Sequence, residues 1–213
     1  MEKQDLIELR EDSMWGKKPD LPETFILFPN ECIGGGAIRR WFQKEPNHKD
    51  SDIDLFYITT EEPHLEGNMQ KRIAYFVENN YKRNETKNAI TFSDERYKFQ
   101  IIKKDFDSWK SIIEQFDFKC CQFLWVPSDE GLKILSKPDA VMSTARKHLA
   151  LNQMNKGFEV DTLRRAFKYY AQGFKPCMGT FRDIALGLGM SAEDVNKQIE
   201  FSPGGGKRVI RFD

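Results

Sequence analysis

Asp52 and Asp54 stand one residue apart at the start of the apolar run IDLFYI. Successive side chains on a strand point to opposite faces, so these two carboxylates share a face while Ile53 and Leu55 point into the core. Two carboxylates about 6.6 Å apart along a strand repel each other and resist burial. A cation answers both problems. Hard carboxylate oxygens suit magnesium, which keeps waters and substrate phosphates in its shell. An acid–apolar–acid triplet alone also fits a solvated strand edge. The difference here is Gly34-Gly35-Gly36, just ahead of the helical pattern AIRRWFQK. A glycine-rich turn opening a helix presents unblocked backbone N–H groups and the positive end of the helix dipole, which together cradle phosphate. Read alone, the glycines are a tight turn. A phosphate cradle beside metal-holding acids is the minimum equipment for moving a nucleotide from a triphosphate.

The stretch GGGAIRRWFQKEPNHKDSDIDLF resembles the signature of the nucleotidyltransferase superfamily that includes DNA polymerase beta, poly(A) polymerases and the CCA-adding enzymes. It is most similar to the CCA-adding and poly(A) polymerase head, whose pattern is Gly-Gly-x-apolar-Arg-Asp. Gly35, Gly36 and Arg39 match it, and Arg40 stands where that family carries an acid. QFDFKCCQF resembles a second motif of the family, with Asp117 and Phe118 in register and Cys121 in place of an asparagine. RAFKYYAQGF resembles a third, through Arg165, Lys168, Gly173 and Phe174.

The resemblance implies an α/β nucleotidyltransferase fold with a mixed sheet. It implies metal-dependent transfer of a nucleoside monophosphate from an NTP, ATP included, to a hydroxyl, with release of pyrophosphate. Asp52 and Asp54 would hold two magnesium ions about 3.5–4 Å apart, with manganese as a substitute. Gly35, Gly36, Arg39, Arg165 and Lys168 would contact the nucleotide. The expected acceptor is RNA, a tRNA 3′ end foremost. Polymerase-type members carry a third carboxylate on a neighbouring strand. The obvious strand, YKFQIIKK, offers Gln100 and no acid, which puts Asp117 forward as the third catalytic acid. Two rivals stand beside this reading. One is the same transfer onto a protein side chain or small molecule. The other is a nucleotide-binding module without activity, which Gln100 and the altered second motif motivate.

These residues need elements to position them. TFILF reads as a short strand or buried segment, DIDLFYITT as a strand, and AITFS with YKFQIIKK as a hairpin. EGNMQKRIAYFVENNY is an amphipathic helix with Met69, Ile73, Phe76 and Val77 at helical spacing. SWKSIIEQ reads as helix and FDFKCCQFLWV as a strand that Pro127 ends. From Pro138 the texture becomes helical: PDAVMSTARKHLALNQ, VDTLRRAFKYYAQGF, TFRDIALGLG and SAEDVNKQIE. The expectation is therefore a catalytic α/β domain over residues 1–136 and an all-helical C-terminal domain over residues 137–213. On VDTLRRAFKYYAQGF, an apolar stripe of Leu163, Ala166, Phe167, Tyr170 and Phe174 is expected to face inward, with Arg165, Lys168 and Gln172 on another face. Lys103 and Lys104, and Lys207, Arg208 and Arg211 near the C-terminus, are further candidates for phosphate contacts.

Bulk composition narrows the field. The 213 residues are 39% hydrophobic and 31% charged, with zero net charge. Global charge gives no footprint for a polyanion, so any nucleic-acid surface must be local. No apolar run reaches the ~18 residues of a membrane span, and no membrane partner is expected. The four cysteines show no paired CxxC spacing, which argues against zinc and for a reducing, cytoplasmic setting.

Overall fold

The computed structural model describes residues 6–9, 21–45, 51–59, 67–129 and 131–193. Lys207, Arg208, Arg211 and most of SAEDVNKQIE lie outside the described residues. The strands of the main sheet are β1 (Ile7–Leu9), β2 (Glu31–Gly34), β3 (Ile53–Tyr57), β4 (Lys82–Glu85), β5 (Ala89–Ser93), β6 (Lys98–Ile102), β7 (Phe123–Ser128) and β8 (Gly131–Ser136). The helices are α1 (Gly36–Phe42), α2 (Asn68–Glu78), α3 (Trp109–Glu114), α4 (Pro138–Ala145), α5 (Glu159–Ala171) and α6 (Met178–Gly187). Two short strands, β9 (His148–Leu149) and β10 (Lys175–Pro176), pair with each other in parallel.

The eight strands form one mixed sheet in the order β1-β8-β7-β2-β3-β6-β5-β4. Only the central β3–β6 pair within it is parallel. This matches the mixed α/β architecture expected from the sequence. The apolar alternation of IDLFY holds, with Ile53 and Leu55 buried in the main core beside Ile33, Phe99 and Ile101. A second core joins the Phe118–Cys121 segment to Leu149, Ala166, Tyr169, Phe174 and Ile184. That core packs the C-terminal elements against the sheet-bearing part.

Several local expectations change. Thr24–Phe28 is irregular, although Phe25 and Leu27 are buried. The strand that leads into the glycines is β2 instead, a four-residue element ending in Gly34. FDFKCCQFLWV is not one strand. Lys119–Cys121 forms a short 3-10 turn, and β7 starts only at Phe123. Pro127 sits within β7 because it lies past Trp125, which pairs with Ile33 of β2, so its missing N–H faces no partner strand. Among the described residues the C-terminal region is not all-helical, since beside α4, α5 and α6 it contains β9 and β10.

Beneath the glycine-bearing strand lies a buried ion pair. Arg72 of α2 reaches Glu31 at 2.6 Å, with both side chains at most 2% exposed. The Tyr57 hydroxyl also donates to Glu31, and the Arg72 guanidinium lies 4.1 Å from the Phe25 ring centre. The apolar spacing of α2 places Phe76 inward as expected, whereas Val77 is exposed and Arg72 is buried.

Candidate active site

Antiparallel pairing sets Gly34 directly opposite Asp54. The turn from β2 into α1 therefore starts beside the acid pair. On the other side of β3, Asp54 faces Gln100 of β6. These elements form one wall of a cleft of about 380 Å³. Gly36, Arg40, Asp52, Asp54 and Gln100 line it from this side, and α5 closes it with Asp161, Arg164, Arg165, Lys168 and Tyr169. The structure thus brings together Asp52, Asp54, Gly36, Arg165 and Lys168, all singled out by the sequence.

The three glycines do different work. A Cβ on Gly34 would lie 2.8 Å from Leu124 and 3.0 Å from Phe116 and Phe56, so packing forbids one there. Gly35 has φ +73, a backbone region that side chains disfavour. Its N–H donates to the Phe123 carbonyl at 3.0 Å, so it is committed to the fold and not to a ligand. Of the expected cradle, Gly36 is the glycine that lines the cleft.

Arg39 also falls outside the cleft. It is fully buried, donates to Gln43 at 2.8 Å and Gln172 at 2.7 Å, and lies 4.8 Å from the Phe174 ring centre. Its role is to fasten α1 to the end of α5. That contact explains why Gln172 does not join Arg165 and Lys168 on a basic face.

Asp117, expected as a third catalytic acid, is not among the cleft residues. It accepts from Arg165 Nε at 2.6 Å and from the Thr162 hydroxyl at 3.1 Å. Burial pushes its carboxyl up while Arg165 pulls it back. Asp117 is therefore a positioning residue that aims Arg165. Of the stripe expected on α5, Leu163, Ala166 and Phe174 do face the core, whereas Phe167 and Tyr170 are exposed and Thr162 and Tyr169 are buried in their stead. Lys103 and Lys104 are likewise elsewhere, bonded to Glu85 and Gln115.

Sequence reasoning missed Asp161, Arg164 and Arg40 as cleft residues. Asp161 stands four positions before Arg165 and Arg164 four before Lys168 along the same helix, and this spacing could have found them. Arg40 was noted only as a departure from the family pattern. It is 3% exposed and acts electrostatically on Asp54.

Burial, and then the Asp52 charge, raise the Asp54 carboxyl to about 7, against the pull of Arg40, Lys168 and Arg165. A carboxyl that is harder to ionise in the fold binds a proton that the unfolded chain has released. Its contribution to stability is therefore full below the ordinary carboxylate range and is lost as pH rises through about 7. We expect the melting temperature without added metal to carry a downward component between about pH 4 and pH 7. Asp54→Asn should reduce that slope, leaving the smaller share from Asp117. Thermal melts across this range check it, and an unchanged slope in the variant would contradict the assignment.

Two carboxylates on one face of a cleft, with open space beside them, fit a divalent ion whose remaining ligands are phosphate and water. Among the described residues no group of three or more His, Cys, Asp or Glu side chains could hold a metal by itself. No helix among the described residues is long and apolar enough to cross a membrane.

The fold has solved relatives. The Thermotoga maritima CCA-adding enzyme complexed with tRNA is similar over 75% of this chain and 38% of its own, at 15% identity and TM-score 0.53. A CCA-adding enzyme in complex with CTP is similar over 79% of this chain and 41% of its own, at 13% identity and TM-score 0.53. A tRNA nucleotidyltransferase complexed with a primer tRNA and an incoming ATP analog is similar over 75% of this chain and 47% of its own, at 12% identity and TM-score 0.52. The chain spans less than half the length of these neighbours. The likeness is one of fold, and the fold is nucleotidyltransferase-like. No curated protein matches the chain. Residues 15–147, more than half of the sequence, match the Gabija anti-defense 2 family. The chain therefore belongs to the Gabija anti-defense 2 family and carries a nucleotidyltransferase-like fold.

Proposed function

We propose that the chain is a metal-dependent nucleotidyltransferase that moves a nucleoside monophosphate from an NTP to a hydroxyl acceptor and releases pyrophosphate. The observation that carries this reading is the cleft itself, with Asp52 and Asp54 on one wall and Arg165 and Lys168 on the other. Acids without cations would repel a triphosphate, and cations without acids would bind one but leave the metal unheld. Asp52 and Asp54 would hold magnesium. When bound there, the ion would lower the cost of deprotonating the acceptor oxygen and neutralise charge on the leaving pyrophosphate.

The chain's own residues do the remaining work, which in such transfers is mainly positioning and charge neutralisation. Arg165 and Lys168 hold the triphosphate, with Arg165 kept in place by Asp117. Arg40 supplies positive charge close to Asp54. Gly36 lets phosphate approach the backbone. Asp161 and Arg164 set a carboxylate acceptor 3.4 Å from a guanidinium donor at the cleft, a pairing suited to a base that carries an exocyclic amine. In this reading, residues 1–136 form the catalytic domain and residues 137–213 supply its basic wall.

Asp117→Asn gives a sharp check on Arg165. A hydrogen bond to a charged group is worth about 1.5–3 kcal/mol, so loosening Arg165 should raise KM for the NTP roughly tenfold or more. The change in kcat should be smaller. A fall confined to kcat would place Asp117 with the reacting atoms instead.

The preferred acceptor is an RNA 3′ end, tRNA foremost, in line with the tRNA-bound structures that share the fold. The family description favours a second acceptor. A protein that counters a defence named Gabija could do so by placing a nucleotide on a side-chain hydroxyl of that defence's own components. Incubation with magnesium and each α-labelled NTP, offered deproteinised RNA or purified Gabija proteins, separates the two. Label in RNA supports the first acceptor and label in protein the second. Tight NTP binding without label in any acceptor would make the chain a nucleotide-binding module.

A further inference from the structure

Lys98 reaches the acid pair from the neighbouring strand through Asp52. It opens β6, which runs parallel to β3 with Ile53 beside Phe99 and Asp54 beside Gln100. Strand alternation puts Lys98 and Gln100 on the face that carries Asp52 and Asp54. Thus β6 offers the acids an ammonium and an amide, and no carboxylate. Lys98 Nζ lies 2.8 Å from Asp52 Oδ1, with the two side chains 39% and 35% exposed. The pair is sheltered enough for its charges to matter and open enough for the lysine to swing into solvent.

The other carboxylate is also attended by cations. Arg40, Lys168 and Arg165 all act electrostatically on Asp54. A free divalent ion approaching the cleft would meet an ammonium on one ligand and a cationic wall around the other. It would have to displace Lys98 into solvent with no anion to take up that charge. A metal–nucleoside triphosphate complex meets a different balance, because its phosphates add negative charge that can take up Lys98, Arg165 and Lys168 together.

We propose that Lys98 is a built-in counter-ion for Asp52, which screens the acid pair from free divalent ions so that metal is taken up only as the metal–nucleoside triphosphate complex. This rests on the transferase reading of the cleft and adds an order of loading to it. Lys98 is a gatekeeper for the metal, and its contact with Asp52 is broken when the nucleotide arrives. As a partly exposed ion pair it contributes little to stability. Removing it should therefore change metal affinity while leaving the melting temperature nearly unmoved.

The test measures Mn2+ binding directly, by loss of the free-ion electron paramagnetic resonance signal. It compares the native protein, Lys98→Gln and the Asp52→Asn/Asp54→Asn double variant, each with and without a non-hydrolysable ATP analogue. A unit charge within a few ångströms of the ion implies that Lys98→Gln binds free Mn2+ roughly tenfold or more tightly than the native protein. With the analogue present, native protein and Lys98→Gln should bind Mn2+ alike, and the double variant should bind no more than the analogue does alone. Equal affinity of native protein and Lys98→Gln for free Mn2+, whether strong or immeasurably weak, overturns the counter-ion. If the double variant still loses Mn2+ with the analogue present, the transferase reading survives that result. Undiminished Mn2+ uptake by the double variant overturns both, because Asp52 and Asp54 are then not the metal site.

Discussion

Asp54→Asn is expected to abolish transfer, lowering kcat/KM by roughly three orders of magnitude or more. The change keeps the shape of the side chain and removes the charge proposed to hold the metal. It should also leave the protein no less stable, and more stable near pH 8. Burial and Asp52 together push the Asp54 carboxyl up to about 7, so its ionised form is held in the cleft at a cost. An amide relieves that cost. Loss of activity together with gained stability is the signature of strain kept for function. Transfer assays and thermal melts on the same preparation read both halves. A variant that loses activity because it has unfolded would melt earlier and would not bear on the mechanism. A variant that melts later and still transfers nucleotide would remove Asp54 from the chemistry.

The second large effect lies away from the cleft. Arg72→Met leaves Glu31 buried, charged and without its partner beneath the strand that leads into the glycine turn. Breaking a buried pair from one side costs about 3–5 kcal/mol. For a chain of this length that lowers the melting temperature by about 10 °C. The Glu31→Leu/Arg72→Met double variant should recover much of the loss, because apolar side chains of similar size often replace a buried pair without net cost. Tyr57 sets the limit on recovery, since its hydroxyl loses the carboxylate to which it donates. Calorimetry on the single and double variants checks the order. A single variant as stable as the native protein would mean that water reaches Glu31.

The cleft residues were legible where their placement depended on neighbours in sequence. Asp52 and Asp54 share a face because strand alternation requires it, and the glycines lead into α1, which begins at Gly36. Arg165 and Lys168 reach the same cleft through helical spacing. The failures are contacts between distant segments. Asp117 looks like a catalytic acid in isolation, and only the approach of α5 shows that it serves Arg165. Arg39 matches a ligand-binding pattern, yet Tyr169, Phe174 and Gln172 enclose it. Gly35 reads as a phosphate donor until its N–H is found on the Phe123 carbonyl. On α5 the apolar stripe holds at Leu163, Ala166 and Phe174 and fails at Phe167 and Tyr170, because apolar periodicity cannot weigh the hydrogen bonds that Thr162 and Arg165 donate to Asp117. The Lys98–Asp52 pair needed the register of β3 against β6, which no local pattern encodes.

On the proposed mechanism, the α-phosphorus of a nucleotide changes partners in this cleft. The most direct measurement follows ATP labelled separately at the α- and γ-positions, with magnesium and the acceptors named above. The α-label should become acid-stable on an acceptor while γ-label leaves as pyrophosphate in equal amount, and Asp54→Asn should do neither. Transfer of the γ-label, or hydrolysis to free phosphate without any α-label on an acceptor, would contradict it.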